Sequence, residues 1–377
     1  MINFIRDLNM KLTVQRAALV KPLQMLSGVV EKRQTLPILS NILLTANESS
    51  LSLTATDLEI ELIGVISLDT VEQTGSTTVS ARKLLDICRA LPEDSILKIA
   101  LEGEQLVIRS GSSRFALITL PAHDFPNVDN GPFATQFEMS QAKLRKLINK
   151  THFAMGQQDV RHYLNGSLFD INQGIVRCIA TDGHRLAFSS VSEDNTKNMQ
   201  AKVILPRKSI LELIRLLDPN SDEVISLCIG ESHFRVVTPY FTFTSKLINA
   251  QYPDYDKLIP RTGENTATAS REALKQALVR ASILSNEKFR GIRLHLDAGQ
   301  LRIVANNPEQ EEAEETIALE YEGNGLEIGF NAAYLLDVVS SIGSENIRWS
   351  FNDPNSGVLI EPSDVSDSLY VVMPMLL

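Results

Sequence analysis

The sequence is poor in the residues that build metal sites, disulfide frameworks and membrane spans. Its three cysteines, Cys88, Cys178 and Cys228, stand far apart in apolar runs without C-x-x-C spacing. We therefore expect buried thiols and a reducing compartment. No apolar run reaches the roughly 18 residues that a membrane helix needs. The N-terminus carries Arg6 and Asp7 where a signal peptide would need an apolar core, which predicts a cytoplasmic protein without a membrane anchor.

Signatures of catalysis are also missing. The sequence contains no P-loop, dinucleotide-binding glycine pattern, zinc-ligand spacing or nucleophile elbow. The stretch Ile179–Leu186 (IATDGHRL) does resemble a small active site, in which Asp182, His184 and Arg185 would act as acid, base and anion clamp. This enzyme interpretation is the less favoured alternative. We predict a non-catalytic protein that needs no cofactor and no metal.

The local pattern of this stretch recurs at a fixed interval. Leu53–Asp57 (LTATD) precedes it and Ile303–Asn307 (IVANN) follows it, and the alanines Ala55, Ala180 and Ala305 are 125 residues apart. A catalytic loop has no reason to recur at a fixed interval, whereas a structural unit copied in tandem does. The chain length also fits three repeats of ordinary domain size. The predicted domains span residues 10–131, 132–254 and 255–377, after an N-terminal extension of residues 1–9.

Each predicted repeat combines two helices with antiparallel strands. Apolar residues three and four positions apart predict a first helix, for which Ser140 and Ser270 are suitable N-caps in repeats two and three. Segments of alternating Val, Ile, Leu, Phe and Thr between turn residues predict strands, among them Ser50–Ala55, Leu106–Leu120, Val236–Leu247 and Leu369–Met375. Second helices are predicted at Arg82–Leu91, Arg207–Leu217 and Ala333–Ile342. The fold class is therefore α+β, with two helices on a curved antiparallel sheet in each of three tandem repeats.

Charge is segregated between the helices and the rest of the chain. The net charge is −10, yet the six predicted helices carry far more Lys and Arg than Asp and Glu. Solvated basic faces would explain any single helix, but five of the six related helices share the sign. A basic face on one class of element suits contact with a polyanion. The helices have no aromatic platform and no recognition-helix signature, so we predict contact with duplex phosphates, without sequence preference.

Helix width limits how such a surface could surround a duplex. Six helices about 10 Å wide would close a ring with roughly 9 Å clear, whereas twelve would leave roughly 28 Å. Only the larger ring admits a duplex. We therefore predict a head-to-tail dimer that forms a pseudo-six-fold ring. The alternative is a peptide-binding scaffold that never encircles DNA, which the acidic total mildly favours.

Several motifs in register across the three repeats resemble one known family. They are Thr35–Leu39 (TLPIL), Ala180–Leu186 (ATDGHRL), Ser285–Gly291 (SNEKFRG), Asn306–Glu312 (NNPEQEE) and Val371–Met375 (VVMPM). From Met10 onward the chain resembles the bacterial sliding clamps, the beta subunits of DNA polymerase III, especially those of gammaproteobacteria. The resemblance implies a DNA-clamp fold and a ring-shaped homodimer that encircles duplex DNA. It also implies a processivity function and an ATP-dependent clamp loader.

The resemblance further implies a pocket for short peptides from many partners. These would be the replicative polymerase alpha subunit, the clamp loader delta subunit, translesion polymerases, ligase and mismatch-repair proteins. An apolar groove with a Met-rich rim suits such peptides, although packing at a domain boundary is the alternative. The implied pocket residues are Leu164, Thr181, Gly183, His184, Arg185, Leu186, Pro253, Leu258, Asn331, Tyr334, Val371, Val372, Met373, Pro374 and Met375.

Two further residue sets follow from the resemblance. The implied DNA contacts are Arg33, Arg82, Gln158, Asp159, Arg161, Tyr163, Arg207 and Lys208. The implied dimer interface pairs Lys83, Arg114, Phe115 and Leu117 with Ile283, Leu284, Glu309, Glu311, Glu312, Glu314 and Glu315, so that opposed charges fix a head-to-tail register. A metal site in this acidic run is disfavoured because its carboxylates lack a ligand spacing. The chain departs from the enteric clamp pattern at Gln105, Ser112, His162, Lys257 and Leu376.

Overall fold

A computed structural model describes the chain at residues 10–30, 36–128, 131–260, 265–364 and 367–376. The chain divides into two compact units. The first contains the residues up to Met139 together with Glu223–Leu247, and the second contains Ser140–Asp222 together with Ile248–Leu377. Within the described ranges no helix is long and apolar enough to cross a membrane. The N-terminal extension of residues 1–9 lies outside these ranges.

Helices and strands follow one another in each predicted repeat. The α-helices of the described residues are α1 (Arg16–Leu26), α2 (Ala81–Ala90), α3 (Gln141–Asn149), α4 (Arg207–Leu216), α5 (Arg271–Ser282) and α6 (Ala332–Ser341). The strands before residue 150 are β1 (Lys11–Gln15), β2 (Asn41–Ala46), β3 (Ser50–Thr56), β4 (Ile60–Ser67), β5 (Thr70–Gln73), β6 (Gly75–Ser80), β7 (Ile96–Glu102), β8 (Gln105–Ser110), β9 (Ser113–Leu120) and β10 (Phe133–Ser140).

The later strands continue the same alternation. They are β11 (Gly166–Asn172), β12 (Ile175–Thr181), β13 (Arg185–Ser192), β14 (Gln200–Pro206), β15 (Val224–Gly230), β16 (His233–Val237), β17 (Phe241–Lys246), β18 (Asn265–Ser270), β19 (Gly291–Asp297), β20 (Gln300–Asn306), β21 (Glu312–Ala318), β22 (Glu320–Tyr321), β23 (Leu326–Asn331), β24 (Asn346–Phe351), β25 (Val358–Pro362) and β26 (Ser368–Val372). Helices and strands in this proportion confirm the α+β class.

The strands form large antiparallel sheets. The first compact unit contains a 13-stranded sheet in the order β10-β15-β16-β17-β4-β3-β2-β6-β9-β8-β7-β1-β5. The second contains a nine-stranded sheet, β14-β11-β12-β13-β26-β25-β24-β18-β22, and a four-stranded sheet, β21-β20-β19-β23. In the first unit β4 pairs with β17, and in the second β13 pairs with β26, so strands from different predicted repeats share one ladder in each unit.

The helices pack in pairs, α1 on α2, α3 on α4 and α5 on α6. Their buried residues recur at a spacing of three and four, as in α2, where Ala81, Leu84, Leu85 and Cys88 face inward. The predicted N-caps are confirmed, because the hydroxyls of Ser140 and Ser270 accept hydrogen bonds from main-chain N–H groups in the first turns of α3 and α5. Such a cap stabilises a helix by about 1 kcal/mol.

The predicted ends of several elements need correction. Helices α2 and α6 each begin and end one residue earlier than predicted. The segment predicted as Leu106–Leu120 is two strands, since the chain turns at Gly111, whose φ is +55°. Strand β26 ends at Val372 rather than Met375. Pro374 has no N–H group and therefore cannot continue the ladder.

The three cysteines are buried, as predicted. Burial raises the pKa of the Cys88 thiol to about 11 and that of Cys178 to about 12. The repeated alanines Ala55, Ala180 and Ala305 are at most 1% exposed, which places them in the core at the same point of each repeat. Their recurrence in the sequence therefore reflects packing.

Gly166 provides a test of the packing between β11 and β14. A Cβ atom there would lie 2.3 Å from the carbonyl oxygen of Leu205, a distance that no side chain tolerates. We expect Gly166→Ala to lower the free energy of unfolding by about 2 kcal/mol or more. Urea unfolding followed by the fluorescence of Trp349, the single tryptophan, measures the effect in the same compact unit.

The matched control is Gly343→Ala, since no atom lies within 4 Å of the corresponding Cβ position. This change should leave the free energy of unfolding within about 0.5 kcal/mol. Equal stability of the two variants would contradict the close approach of β14 to Gly166.

Candidate functional site

An apolar cavity of about 300 Å³ opens in the second compact unit, beside the strands β13 and β26. It brings together most of the residues predicted for a peptide pocket, including Met373 and Leu258 on its rim, which are 43% and 47% exposed. The predicted residues that line it are Leu164, Thr181, Gly183, Arg185, Leu186, Pro253, Leu258, Val371 and Met373. Arg161 and Tyr163 complete the lining.

Main-chain hydrogen bonds fix the C-terminal segment at this cavity. After β26, the N–H group of Met373 donates to the carbonyl oxygen of His184 at 2.8 Å. The N–H group of Met375 donates to the carbonyl oxygen of Gly329 at 2.9 Å. Residues that are almost 190 positions apart in the sequence therefore meet in one wall.

A hydrogen-bonded turn joins β12 to β13 at the edge of the cavity. The carboxylate of Asp182 accepts from the N–H groups of His184 at 2.9 Å and Arg185 at 3.0 Å. The hydroxyl of Thr181 donates to the carbonyl oxygen of Arg185 at 2.6 Å and accepts from the N–H group of Gly183 at 3.1 Å. The side chains of Thr181 and Asp182 thus hold the turn in shape.

The corresponding turn of the first repeat has the same bonds. The hydroxyl of Thr56 donates to the carbonyl oxygen four residues on, and Asp57 accepts from two N–H groups. Leu58 occupies the position of Gly183, with φ +76° against +88°. A side chain is therefore compatible with this backbone conformation. Gly183 leaves room for Arg161, since a Cβ atom would lie 3.1 Å from its guanidinium nitrogens and this side chain would have to shift by a few tenths of an ångström.

Arg185 holds the base of the cavity together. Its guanidinium pairs with the carboxylate of Asp337 at 2.5 Å and donates to the carbonyl oxygen of Phe153 at 2.7 Å. The guanidinium carbon also lies 4.4 Å from the ring centre of Tyr334 and 5.2 Å from that of Phe153. The side chain is only 10% exposed. Arg185 and Asp182 are therefore committed to the fold, and the enzyme interpretation loses its anion clamp and its acid.

Arg161 and Tyr163, which belong to the predicted DNA contacts, also line the cavity, and their contact with DNA stays a prediction. Tyr163 lies in the 3-10 turn His162–Leu164, and Arg161 directly precedes this turn. Hydrogen bonds from Arg161 lower the pKa of Asp159 to about 2. The ring of Tyr163 lies edge-on to that of Tyr252, with centroids 6.5 Å apart. A polar stretch gives no periodic signal for such a turn, so the sequence did not indicate that Arg161 and Tyr163 line the cavity.

The other predicted pocket residues lie outside the cavity lining. The rings of His184 and Tyr334 stack with centroids 6.3 Å apart. The side chain of Asn331 accepts from the N–H group of Ala333 and caps α6. Val372 is fully buried, and Pro374 and Met375 are half-buried. Their part in peptide binding stays a prediction.

The predicted DNA contacts lie in both compact units. Arg82 is exposed on α2, with 83% of its side chain accessible. Arg207 and Lys208 form the first turn of α4. Gln158 adopts a left-handed backbone conformation with φ +55°. Arg33 lies outside the described residues, and the contact of this set with DNA stays a prediction.

The first half of the predicted dimer interface lies on an open strand. Strand β9 carries Arg114, Phe115 and Leu117, and Lys83 is exposed on α2. Strand β9 pairs with β6 only through its last two residues, Thr119 and Leu120. Main-chain groups of residues 113–118 therefore remain available on that side, within the described part of the chain.

The second half lies directly after α5 and on or just before β21, the edge strand of the four-stranded sheet. Ile283 is 73% exposed. Arg280 pairs with Glu315 at 2.7 Å and Arg302 with Glu314 at 3.7 Å, so the acidic run is partly neutralised within the chain. Leu284 is half-buried, and Glu309, Glu311 and Glu312 are exposed. No group of three or more described His, Cys, Asp or Glu side chains could hold a metal ion.

Three family models match consecutive segments of the chain. The N-terminal domain of the DNA polymerase III beta subunit matches residues 10–129, the central domain residues 138–254 and the C-terminal domain residues 256–376. The finer domain boundaries given above stay a prediction. Together the matches confirm three tandem domains of one family.

Named relatives and solved structures agree with these matches. The beta sliding clamp of Pseudomonas aeruginosa is 52% identical over 366 residues, which is 97% of this chain and 100% of the relative. That of Escherichia coli K12 is 48% identical over the same shares. The crystal structure of the DNA polymerase III subunit beta from P. aeruginosa superposes with a TM-score of 0.96 at 52% identity, covering 98% of this chain and 100% of that one.

Proposed function

This chain belongs to the DNA polymerase III beta subunit family, the beta sliding clamps, and we propose that two copies close head to tail into a ring around duplex DNA. Its function is that of a processivity clamp, which keeps a DNA polymerase on DNA and performs no chemistry. The proposal assigns three surfaces to this function. They are a cavity for partner peptides, the basic helices for DNA and two strand edges for the second copy.

The apolar cavity carries the peptide-binding part of the proposal. Its volume of about 300 Å³ suits a few apolar side chains of a short segment. Met373 on the rim is flexible and polarizable, which lets one cavity accept different sequences. The replicative polymerase alpha subunit, the clamp loader delta subunit, translesion polymerases, ligase and mismatch-repair proteins would therefore compete for it. The clamp of P. aeruginosa has been crystallised with griselimycin, so a relative does bind a ligand.

The basic helices support contact with DNA phosphates. On α2, Arg82 forms an ion pair with Asp86 at 3.8 Å, and the two side chains are 83% and 59% exposed. Exposed pairs of this kind contribute only about 0–1 kcal/mol. A phosphate group can therefore replace the carboxylate at little cost. Such contacts favour DNA of any sequence and weaken with salt.

Two open strand edges support the dimer. Residues 113–118 of β9 and the outer side of β21 each leave main-chain groups without a strand partner among the described residues. Exposed edges of this kind pair readily with another chain. Phe115 and Leu117 beside one edge and Ile283 beside the other supply apolar contacts. Basic groups lie near β9 and acidic groups near β21, which favours a head-to-tail pairing.

Gly183 tests the peptide cavity. Gly183→Leu places in the second repeat the residue that the first repeat has at Leu58, and its side chain would project into the cavity. We expect affinity for a labelled peptide of the polymerase alpha subunit to fall roughly tenfold or more, measured by fluorescence anisotropy. Gly299→Leu is the matched control, because Gly299 has φ +82° and open space around it. Unchanged affinity of Gly183→Leu would contradict the assignment.

Ile283 tests the dimer. A lysine there suits the C-terminal end of α5, but it would be buried without a partner opposite a basic strand edge. We expect Ile283→Lys to weaken dimerisation roughly 100-fold or more in sedimentation equilibrium. Val224→Lys, at a valine that is 56% exposed, is the control and should leave the dimer intact. An equally tight Ile283→Lys dimer would refute this interface.

The ring predicts a topological link to DNA. After loading with a clamp loader and ATP, the protein should stay on circular duplex during a wash at about 0.5 M salt, which screens phosphate contacts. Cutting the circle should release it, because a ring slides off a free end. Equal loss from circular and cut DNA, with loading confirmed beforehand, would favour a scaffold that binds DNA only electrostatically.

A further inference from the structure

A second, polar cavity of about 540 Å³ opens in the same compact unit, next to the apolar one. Pro253 lines both cavities. Tyr252, in the wall of the polar cavity, contacts Tyr163, in the wall of the apolar cavity, edge to face. The polar cavity is lined by Leu168, Lys202, Ile204 and residues 250–255. A partition only a few side chains thick therefore separates the two.

The partition is the irregular segment 250–255, which crosses one face of the nine-stranded sheet. Tyr255 is 6% exposed and packs with Leu168, Ile204 and Leu186 in an apolar cluster on that face. Its hydroxyl donates to the carboxylate of Asp170 at 2.7 Å. The packing and the hydrogen bond of Tyr255 thus hold the segment on the sheet, with one cavity on each side of it.

The accessible charge of the polar cavity is positive. The ammonium group of Lys202 lies 3.2 Å from a carboxylate oxygen of Asp170, but Asp170 is only 4% exposed, whereas Lys202 is 59% exposed. Asp254, the acid of the lining, is 55% exposed, but it pairs at 3.0 Å with Lys257, which is 82% exposed and therefore accessible too. A ligand that enters the cavity would therefore contact the exposed ammonium group of Lys202, whereas the counter-ion, Asp170, is buried. This arrangement favours a carboxylate on the ligand.

The segment also offers main-chain groups to an extended ligand. Gln251 and Tyr252 belong to neither a helix nor a strand, and their N–H groups donate no main-chain hydrogen bond within the described part of the chain. Ala250 and Gln251 are exposed. A second extended chain lying along such a segment can exchange hydrogen bonds with it. The apolar cavity holds only a few side chains, so a longer bound peptide must continue past its wall.

We propose that the polar cavity receives the polypeptide that flanks the apolar segment of the same partner, and that Lys202 selects an acidic side chain in this flank. The inference rests on the proposed peptide-binding function of the apolar cavity. It adds a second point of recognition, which distinguishes partners with similar apolar segments by the charge beside them. A flank without acidic side chains would bind in the same cavity without the ion pair to Lys202, and therefore less tightly.

Three synthetic peptides separate the two cavities. The first is the shortest segment of the polymerase alpha subunit that binds. The second and third extend it at both ends by Gly-Glu-Glu or by Gly-Gln-Gln. On the unchanged protein the Glu-extended peptide should bind roughly three- to fivefold more tightly than the Gln-extended one, as an exposed ion pair allows.

Variants of Lys202 then identify the group responsible. Lys202→Gln should abolish the preference for glutamate, and Lys202→Arg should keep it. Lys197→Gln, at an exposed lysine of the same compact unit that pairs with Asp194, should also keep it. The short peptide should bind all variants alike, which shows that the apolar cavity is intact.

The outcomes distinguish this inference from the proposed function. If glutamate gives no advantage, or if the advantage survives in Lys202→Gln, the polar cavity does not read acidic flanks. If the affinity of the short peptide falls with Lys202→Gln as much as that of the long one, Lys202 acts through the fold and the inference is wrong. If the short peptide binds neither the unchanged protein nor any of the variants, the proposed peptide-binding function itself is wrong.

Discussion

The main-chain groups at the edge of a β-sheet need hydrogen-bonding partners, and this requirement determines how the repeats of this molecule pair. A strand at the edge of a sheet exposes a row of unpaired main-chain groups, and a large antiparallel fold has to cover them. In each compact unit an edge strand of one repeat pairs with a strand of another, β4 with β17 and β13 with β26. The second of these ladders also builds the wall of the apolar cavity. Among the sheet edges of the described residues, the open ones at β9 and β21 are those that we assign to the second copy.

One local turn illustrates how two copies of a repeated structure can differ beside a cavity. The turns that follow Ala55 and Ala180 share the same hydrogen bonds and nearly the same backbone angles. They differ in what occupies the left-handed position. Leu58 presents a side chain there, whereas Gly183 allows the guanidinium of Arg161 to approach the backbone. The fold needs only the turn, and the cavity depends on the missing side chain.

Much of the fold was predictable because its signals are local. Apolar spacing located the second helix of each repeat to within one residue, and the serines at positions 140 and 270 marked the starts of α3 and α5. The recurrence at 125 residues indicated the tandem organisation. The cavity was predictable in large part through resemblance to a family. That Arg161 and Tyr163 line the cavity was not predicted, because a 3-10 turn has no distinctive sequence period, and their contact with DNA stays a prediction. The hidden counter-ion of Lys202 was also beyond prediction, since it depends on the register of β14 with β11 and on the burial of Asp170.

The buried thiols give the chain a set of built-in reporters. A thiol that is covered reacts slowly with alkylating reagents, so each cysteine becomes reactive only when the structure around it opens. Cys88 and Cys228 lie in the first compact unit and Cys178 in the second. The rates at which the three are labelled would therefore compare the local opening of the two units in one sample, without any introduced probe.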